Sequence, residues 1–153
     1  MTQNMLGASL KTCHWGYFDA TLPPAMTISS GDEVVINTVS GGPQNLPGAG
    51  FHVPQELLDL HAAGLPAMPG HILTGPVAVQ GAMPGDVLQI DILDVSLRQD
   101  WGFNYLGPLT GTLPQDFPNL HHTIIPLDAE RGIATMPWGL ELKLAPFFGV
   151  MGV

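Results

Sequence analysis

PGHILTGPVAVQGAMPGDVLQIDILDV, residues 69–95, is the stretch on which the reading of the fold turns. Pro76-Val77-Ala78-Val79-Gln80 is short and rich in β-branched residues, and Gly81 to Asp86 supplies turn chemistry. Val87 to Val95 then alternates, with Leu88, Ile90 and Ile92 on one side of a pleat and Gln89 and Asp91 on the other. The pattern predicts a β-hairpin with one buried face. His71 stands just before its first strand, where a loop enters the sheet and functional side chains tend to collect.

The same device occurs earlier in the chain. Ser30-Gly31-Asp32-Glu33-Val34-Val35-Ile36-Asn37 and Pro84-Gly85-Asp86-Val87-Leu88-Gln89-Ile90-Asp91 share a Gly-Asp turn followed by apolar residues at the same offsets. Two copies make a recurring turn unit and fall short of a solenoid, which needs at least three. Ala25 to Ser29 and Glu33 to Val39 read as strands flanking the first copy. Between the copies, Val53 to Gly64 reads as the one good helix. It has proline in its first turn, Glu56 near its N-terminus and glycine past its end, and its apolar face is Leu57, Leu58 and Leu60.

Downstream, Arg98 to Tyr105 gathers charge, amide and aromatic groups in the composition of a pocket wall. His121 to Ile125 alternates as a strand, Leu127 to Gly132 reads as a turn, and Leu140, Leu142 and Leu144 alternate with Glu141 and Lys143 as a half-buried strand. The last nine residues, Ala145 to Val153, carry no charge, and such an apolar run is expected to be covered by further chain or by a partner.

Composition agrees with a mainly β fold, sandwich-like or barrel-like, of short strands joined by Gly/Pro-rich turns. Glycine numbers 19 and proline 15, while only 11% of the residues are charged, against about a quarter in ordinary globular chains. The 153 residues suffice for a single domain with a real core, since about two-thirds of the surface is buried on folding at this size. The formal charge of −9 opposes nucleic acid and anionic membranes as partners. One cysteine, Cys13, excludes an internal disulfide, and no apolar run is long enough to cross a bilayer. A soluble, cytoplasmic protein is the expectation.

No nucleophile elbow, phosphate-binding loop or Cys-x-x-Cys site is present, so the chemistry must rest on scattered His, Asp and Glu. His14 with Asp19 is the leading pair: an imidazole and a carboxylate can share a metal or orient a water. The competing reading makes His14 a structural hydrogen-bonding residue beside Trp15. His71 can supply a further nitrogen ligand or simply bond to backbone. Asp100 and Trp101 can line a small pocket, the carboxylate orienting a polar substrate and the ring excluding water; alternatively Asp100 pairs with Arg98. Asp32 and Asp86 read as turn caps, His121 and His122 as strand residues. Cys13 reads as a buried structural residue, since in a strand it faces away from His14.

Taken as an ordered set, several segments resemble the acetamidase/formamidase family. They are His14-Trp15-Gly16-Tyr17-Phe18-Asp19 with Leu22-Pro23-Pro24, Gly70 to Val77, Gly81 to Leu88, Arg98 to Gly102, Pro137-Trp138-Gly139, and Pro146 to Val153. The resemblance covers nearly the whole chain. It implies a β-rich fold with small α elements, and hydrolysis of formamide, acetamide or similar short amides to the carboxylate and ammonia. It also implies a divalent metal, zinc or calcium, with His14, Asp19 and His71 as ligands. His14 would be a ligand or proton carrier, Asp19 would orient or bind, Asp100 would help hold the amide nitrogen, and Trp101 would contact substrate. Family members are longer and carry His-Gly-Gly-Asn and Asp-Gly-His stretches that are not found here. The chain therefore looks like an N-terminal half, to be completed by a homo-oligomer or by a complementing C-terminal chain. The other expectation is a non-catalytic β-domain that keeps the scaffold and binds a small polar ligand or a partner.

Overall fold

Glycine or proline interrupts nearly every apolar run, and most strands accordingly last only three residues. A computed structural model describes residues 4–64 and 70–153; residues 1–3 and 65–69, including Pro69 at the head of the stretch quoted above, lie outside the described residues. The sequence reads as one domain, and its described residues group into two compact units. The first takes the described part of Met1–Gly41 and Pro54–Asp94, with Phe148–Val153; the second takes Gly42–Val53 and Val95–Phe147.

The first unit contains three two-stranded ladders. Strand β1 (Asn4–Leu6) runs parallel to β4 (Val34–Ile36), with Asn4 opposite Val34. Strand β2 (Cys13–Trp15) is antiparallel to β5 (Ile72–Thr74), with His14 opposite Leu73. Strand β3 (Met26–Ile28) is parallel to β6 (Val77–Val79), with Thr27 opposite Ala78. Helix α1 (Gln55–Ala62) buries Leu57 and Leu60 completely, each contributing about 2 kcal/mol of apolar burial. Leu58, expected on the same face, is exposed, because it lies one residue off the buried i, i+3 stripe. Leu6, Ala8, Cys13, Val39 and Ile72 complete the buried apolar set of this unit.

The predicted hairpin does not form. Val77–Val79 pairs with Met26–Ile28, and residues 87–95 lie outside any strand ladder, with Leu88, Ile90 and Ile92 each about half exposed. The turn supplies the reason. Asp86 N–H donates to the Met83 carbonyl at 3.0 Å, with Pro84 second and Gly85 third at φ +102°. That is the type II pattern, whose twist splays the flanking segments, whereas two-residue hairpins use the mirror-image turns. The first copy behaves alike: Asp32 N–H donates to Ser29 at 3.1 Å, Gly31 has φ +87°, and β3 and β4 pair with other strands. The aspartates cap both turns, as expected. Asp32 Oδ2 accepts the Ser29 N–H at 2.8 Å, and Asp86 Oδ2 accepts the Met83 N–H at 2.8 Å.

The second unit is an antiparallel meander of β7 (Trp101–Leu106), β8 (His121–Asp128), β9 (Ile133–Thr135) and β10 (Glu141–Lys143). The segment expected to be a pocket wall is thus largely strand. Its Trp101 is opposite Pro126 and only 1% exposed. The alternation at Leu140–Leu144 does mark a strand, but β10 lies at the sheet edge with Leu142 exposed. It is fastened by Arg131, whose Nη2 donates to both Glu141 oxygens at 3.0 and 3.1 Å. Among the described residues no helix is long and apolar enough to cross a membrane.

Candidate functional site

The β2–β5 ladder brings the two histidine-bearing segments of the first unit together. The ladder continues past its last pair, with Gly16 N–H donating to the His71 carbonyl at 2.8 Å. Beyond that bond the chains touch backbone to backbone: a Cβ on Gly70 would lie 2.7 Å from Gly16 Cα. Gly70 also sits at φ +146°, a region closed to other residues without strain.

Around this junction lies a cavity of about 170 Å³, bounded by Gly16, Tyr17 and Phe18 on one side and Gly70, His71 and Leu73 on the other, with Val150 from the C-terminal segment. Most of its lining side chains are apolar, with His71 and Tyr17 as the residues that carry polar groups. This is the usual division of labour in a small-ligand site. A larger hollow of about 270 Å³, beside Ala8–Lys11, Glu56 and Asp59, brings in no histidine, so the smaller cavity is the better chemical candidate.

His14 is half-buried on the strand leading into the cavity, on the same side of the ladder as Leu73. Its Nε2 lies 3.0 Å from the Tyr17 carbonyl, and its ring is 5.4 Å from the Tyr17 ring. A carbonyl only accepts, so Nε2 carries a proton and, in the neutral ring, Nδ1 carries the lone pair. Cys13 faces the other way, as expected: it is buried, and its Sγ is 3.5 Å from Thr74 Oγ1.

Asp19 is fully exposed, and its Oδ1 accepts the Thr21 hydroxyl at 2.7 Å and the Thr21 N–H at 2.8 Å. Those two donors, the hydroxyl first, hold its carboxyl below the ordinary aspartate value. It is an anion at neutral pH and a poor proton acceptor. Neither His14 nor Asp19 is among the residues lining the cavity; the two flank its Gly16–Phe18 wall in sequence.

Asp100 and Trp101 belong to the second unit and hold its 51–53 segment. Asp100 Oδ1 accepts the His52 N–H at 2.9 Å, and the Trp101 indole N–H donates to the His52 carbonyl at 2.8 Å. Trp101, expected beside a small pocket, is 1% exposed and packs as the largest fully buried side chain of its sheet. His121 is exposed on β8, and His122 stands beside the rings of Phe103 and Tyr105 at 6.1 and 6.5 Å, as strand residues.

Among the described residues no group of three His, Cys, Asp or Glu stands together to hold an ion, and His14 Nε2 and the Asp19 carboxylate already have protein partners. His14, Asp19 and His71 do not stand together as three donors among the described residues.

Tyr17, Phe18 and Val150 line the cavity without a titratable group suited to neutral pH, so residue type alone does not single them out. The aromatic pair beside His14 was visible as composition. Val150 was visible only as part of an apolar tail needing cover.

Comparison with known proteins places these features. Residues 8–153 match the family model for the acetamidase/formamidase family. A formamidase of Methylophilus methylotrophus is 46% identical over 59 residues, a stretch covering 35% of this chain and 14% of that protein. The crystal structure of an acetamidase from Bacillus halodurans superposes with a TM-score of 0.66 at 22% identity, covering 91% of this chain and 42% of that one. The chain thus spans less than half the length of the relatives it matches. With the family model matched from Ala8 to the last residue, this chain belongs to the acetamidase/formamidase family.

Proposed function

We propose that this chain takes part in hydrolysis of short aliphatic amides, of the formamide and acetamide class, to carboxylate and ammonia. The cavity at the β2–β5 junction is the proposed amide site. The observation that carries the reading is the meeting of Gly16–Phe18 and Gly70–Leu73 around a small, mostly apolar cavity with one imidazole in its wall.

Hydrolysis adds water across the C–N bond: oxygen bonds to the carbonyl carbon, and the nitrogen leaves with an added proton as ammonia. The apolar walls exclude competing water and hold the acyl group. His71 is placed to hydrogen-bond the amide. His14 is the candidate proton carrier through Nδ1, with the Tyr17 carbonyl orienting its ring. Asp19, held ionised, orients the segment and does not carry a proton. Asp100 is an anchor for the 51–53 segment in this reading. A divalent ion, zinc or calcium, would supply a water of lowered pKa.

A partner, either a complementing chain or a second copy, is part of the proposal. The solved acetamidase is covered over only 42% of its length, and Leu88, Ile90 and Ile92 each present about half of their surface. A reducing compartment suits the lone thiol of Cys13, and we place the protein in the cytoplasm. The other reading, a β-domain that keeps the scaffold and binds a small polar molecule without turnover, is favoured by the same partial coverage.

The test is ammonia release from formamide and acetamide by the full chain, with and without added zinc or calcium, alongside His14→Ala. Turnover that falls at least about a hundredfold in His14→Ala supports hydrolysis with His14 as proton carrier. No release under any condition from a folded chain supports the binding domain, and turnover unchanged in His14→Ala removes His14 from the mechanism.

A further inference from the structure

VLQIDIL, residues 87–93, follows the second Gly-Asp turn and contains neither proline nor glycine, so each residue can donate and accept a backbone hydrogen bond. The chain runs from 86 to 97 without a turn or bend, yet lies in no ladder. Among the described residues, 87–93 share no backbone hydrogen bond with another segment. The side chains nevertheless alternate as in a strand: Gln89 Nε2 donates to Asp91 Oδ1 at 3.1 Å, which puts residues i and i+2 on one side. Val87 is 95% exposed and Leu93 71%, with Leu88, Ile90 and Ile92 about half exposed.

We propose that residues 87–93 pair antiparallel with the same residues of a second copy of this chain, on a two-fold axis through Ile90. The inference rests on the partner part of the reading above, here committed to a second copy, and stands apart from the amide chemistry.

The order of the side chains identifies both the occupant and the register. In an antiparallel pair opposite residues face the same side of the sheet, so a two-fold axis normal to the sheet must pass through a residue. An axis through Ile90 sets Val87 opposite Leu93, Leu88 opposite Ile92, Ile90 opposite itself and Gln89 opposite Asp91. Apolar then meets apolar throughout, and each carboxylate meets an amide able to donate to it. Moving the axis to Asp91 sets two carboxylates directly opposite each other and Leu88 against Asp94, which is destabilising. Moving it to Gln89 sets Val87 against Asp91 and Asp86 against Ile92. Of the three registers only the one at Ile90 matches, and a pattern that reads alike in both directions is what an isologous interface requires. The lysines and prolines that usually blunt a free strand edge are missing from these seven residues.

The experiment uses the full chain carrying single added cysteines under mild oxidation, read by non-reducing electrophoresis and by sedimentation. Wild type, with its one thiol buried at Cys13, is the background. In the proposed pair the two Cα atoms of residue 90 stand about 4.5–5.5 Å apart, within disulfide reach, whereas those of residue 88 stand roughly 14 Å apart. Ile90→Cys is therefore expected to form a covalent dimer at least about tenfold faster than Leu88→Cys or Ile92→Cys alone, and a mixture of those two to approach it. Circular dichroism checks the fold of each variant. A mixture of Gln89→Cys with Asp91→Cys, both exposed positions, gives the same reading should Ile90→Cys fail to fold. A dimer in sedimentation with cross-links confined to these combinations supports the inference. A monomer at every concentration, or association in which residue 88 links to itself as fast as residue 90, overturns it. Ammonia release from amides judges the amide reading separately.

Discussion

Gly16 and Gly70 meet backbone to backbone: the site of a Cβ on Gly70 is 2.7 Å from Gly16 Cα, and the adjoining Gly16 N–H bonds to the His71 carbonyl at 2.8 Å. This contact joins the two segments that form the cavity. Gly70→Ala must therefore separate the strands as well as strain φ, and is expected to lose about 2 kcal/mol or more in urea unfolding. A Gly70→Ala chain with wild-type stability would show that the junction is looser than this contact requires.

Asp19 yields a pH signature. Its folded-state pKa is depressed, by the Thr21 hydroxyl first and the Thr21 N–H second. The associated stability is present above the unfolded value of about 3.9 and is lost as pH falls through the folded value. Thr21→Val removes the hydroxyl but keeps the N–H. It should raise the Asp19 pKa part of the way back and flatten the acid limb of stability, lowering stability at neutral pH while leaving it unchanged below the folded-state pKa. Carbon-13 titration of the carboxyl reads the first effect and urea unfolding across the acid range the second.

The two Gly-Asp turns should respond equally. Asp32→Ala and Asp86→Ala each delete an acceptor 2.8 Å from a backbone N–H in the same turn geometry, at an expected cost of about 1 kcal/mol apiece. Denaturation midpoints of the two variants measure this. A large effect in only one would mean that the copies are not equivalent.

Trp101 separates core from site. Trp101→Phe removes the 2.8 Å indole bond to His52 and should cost about 1 kcal/mol, while Trp101→Ala should cost about 3–5 kcal/mol. Amide binding by Trp101→Phe should match wild type. A selective loss of amide affinity with stability preserved would restore the substrate contact expected from its sequence neighbours.

The exposed apolar positions at 88, 90 and 92 predict association. Sedimentation at rising concentration should show self-association of the chain, and Ile90→Lys should weaken it about tenfold or more by placing a charge in an apolar contact. A chain that remains monomeric throughout would leave the complementing-chain form of the proposal.

Much of the architecture was legible because it depends on neighbours in sequence. The helix announced itself through Pro54, Glu56 and Gly64. The twin turns were readable from Gly-Asp, and the strands at Met26–Ile28, Val34–Ile36 and His121–Asp128 from β-branched runs. The family, too, was readable from motifs in order. Strand partners were not. Residues 77–79 and 87–95 look like two arms of one hairpin, and only the splaying type II turn, with Met26–Ile28 as the actual neighbour, assigns them apart.

Local pattern by itself determined where this chain turns, where most of its short strands and its helix lie and which residue types could carry chemistry, since those follow from φ preferences and side-chain type. Only the tertiary structure decided that His71 reaches the Gly16–Phe18 segment and that Val150 closes the same cavity. It also buried Trp101 among the side chains of the second unit. These are contacts between residues far apart in sequence, fixed by burial and backbone pairing, which no window along the chain contains.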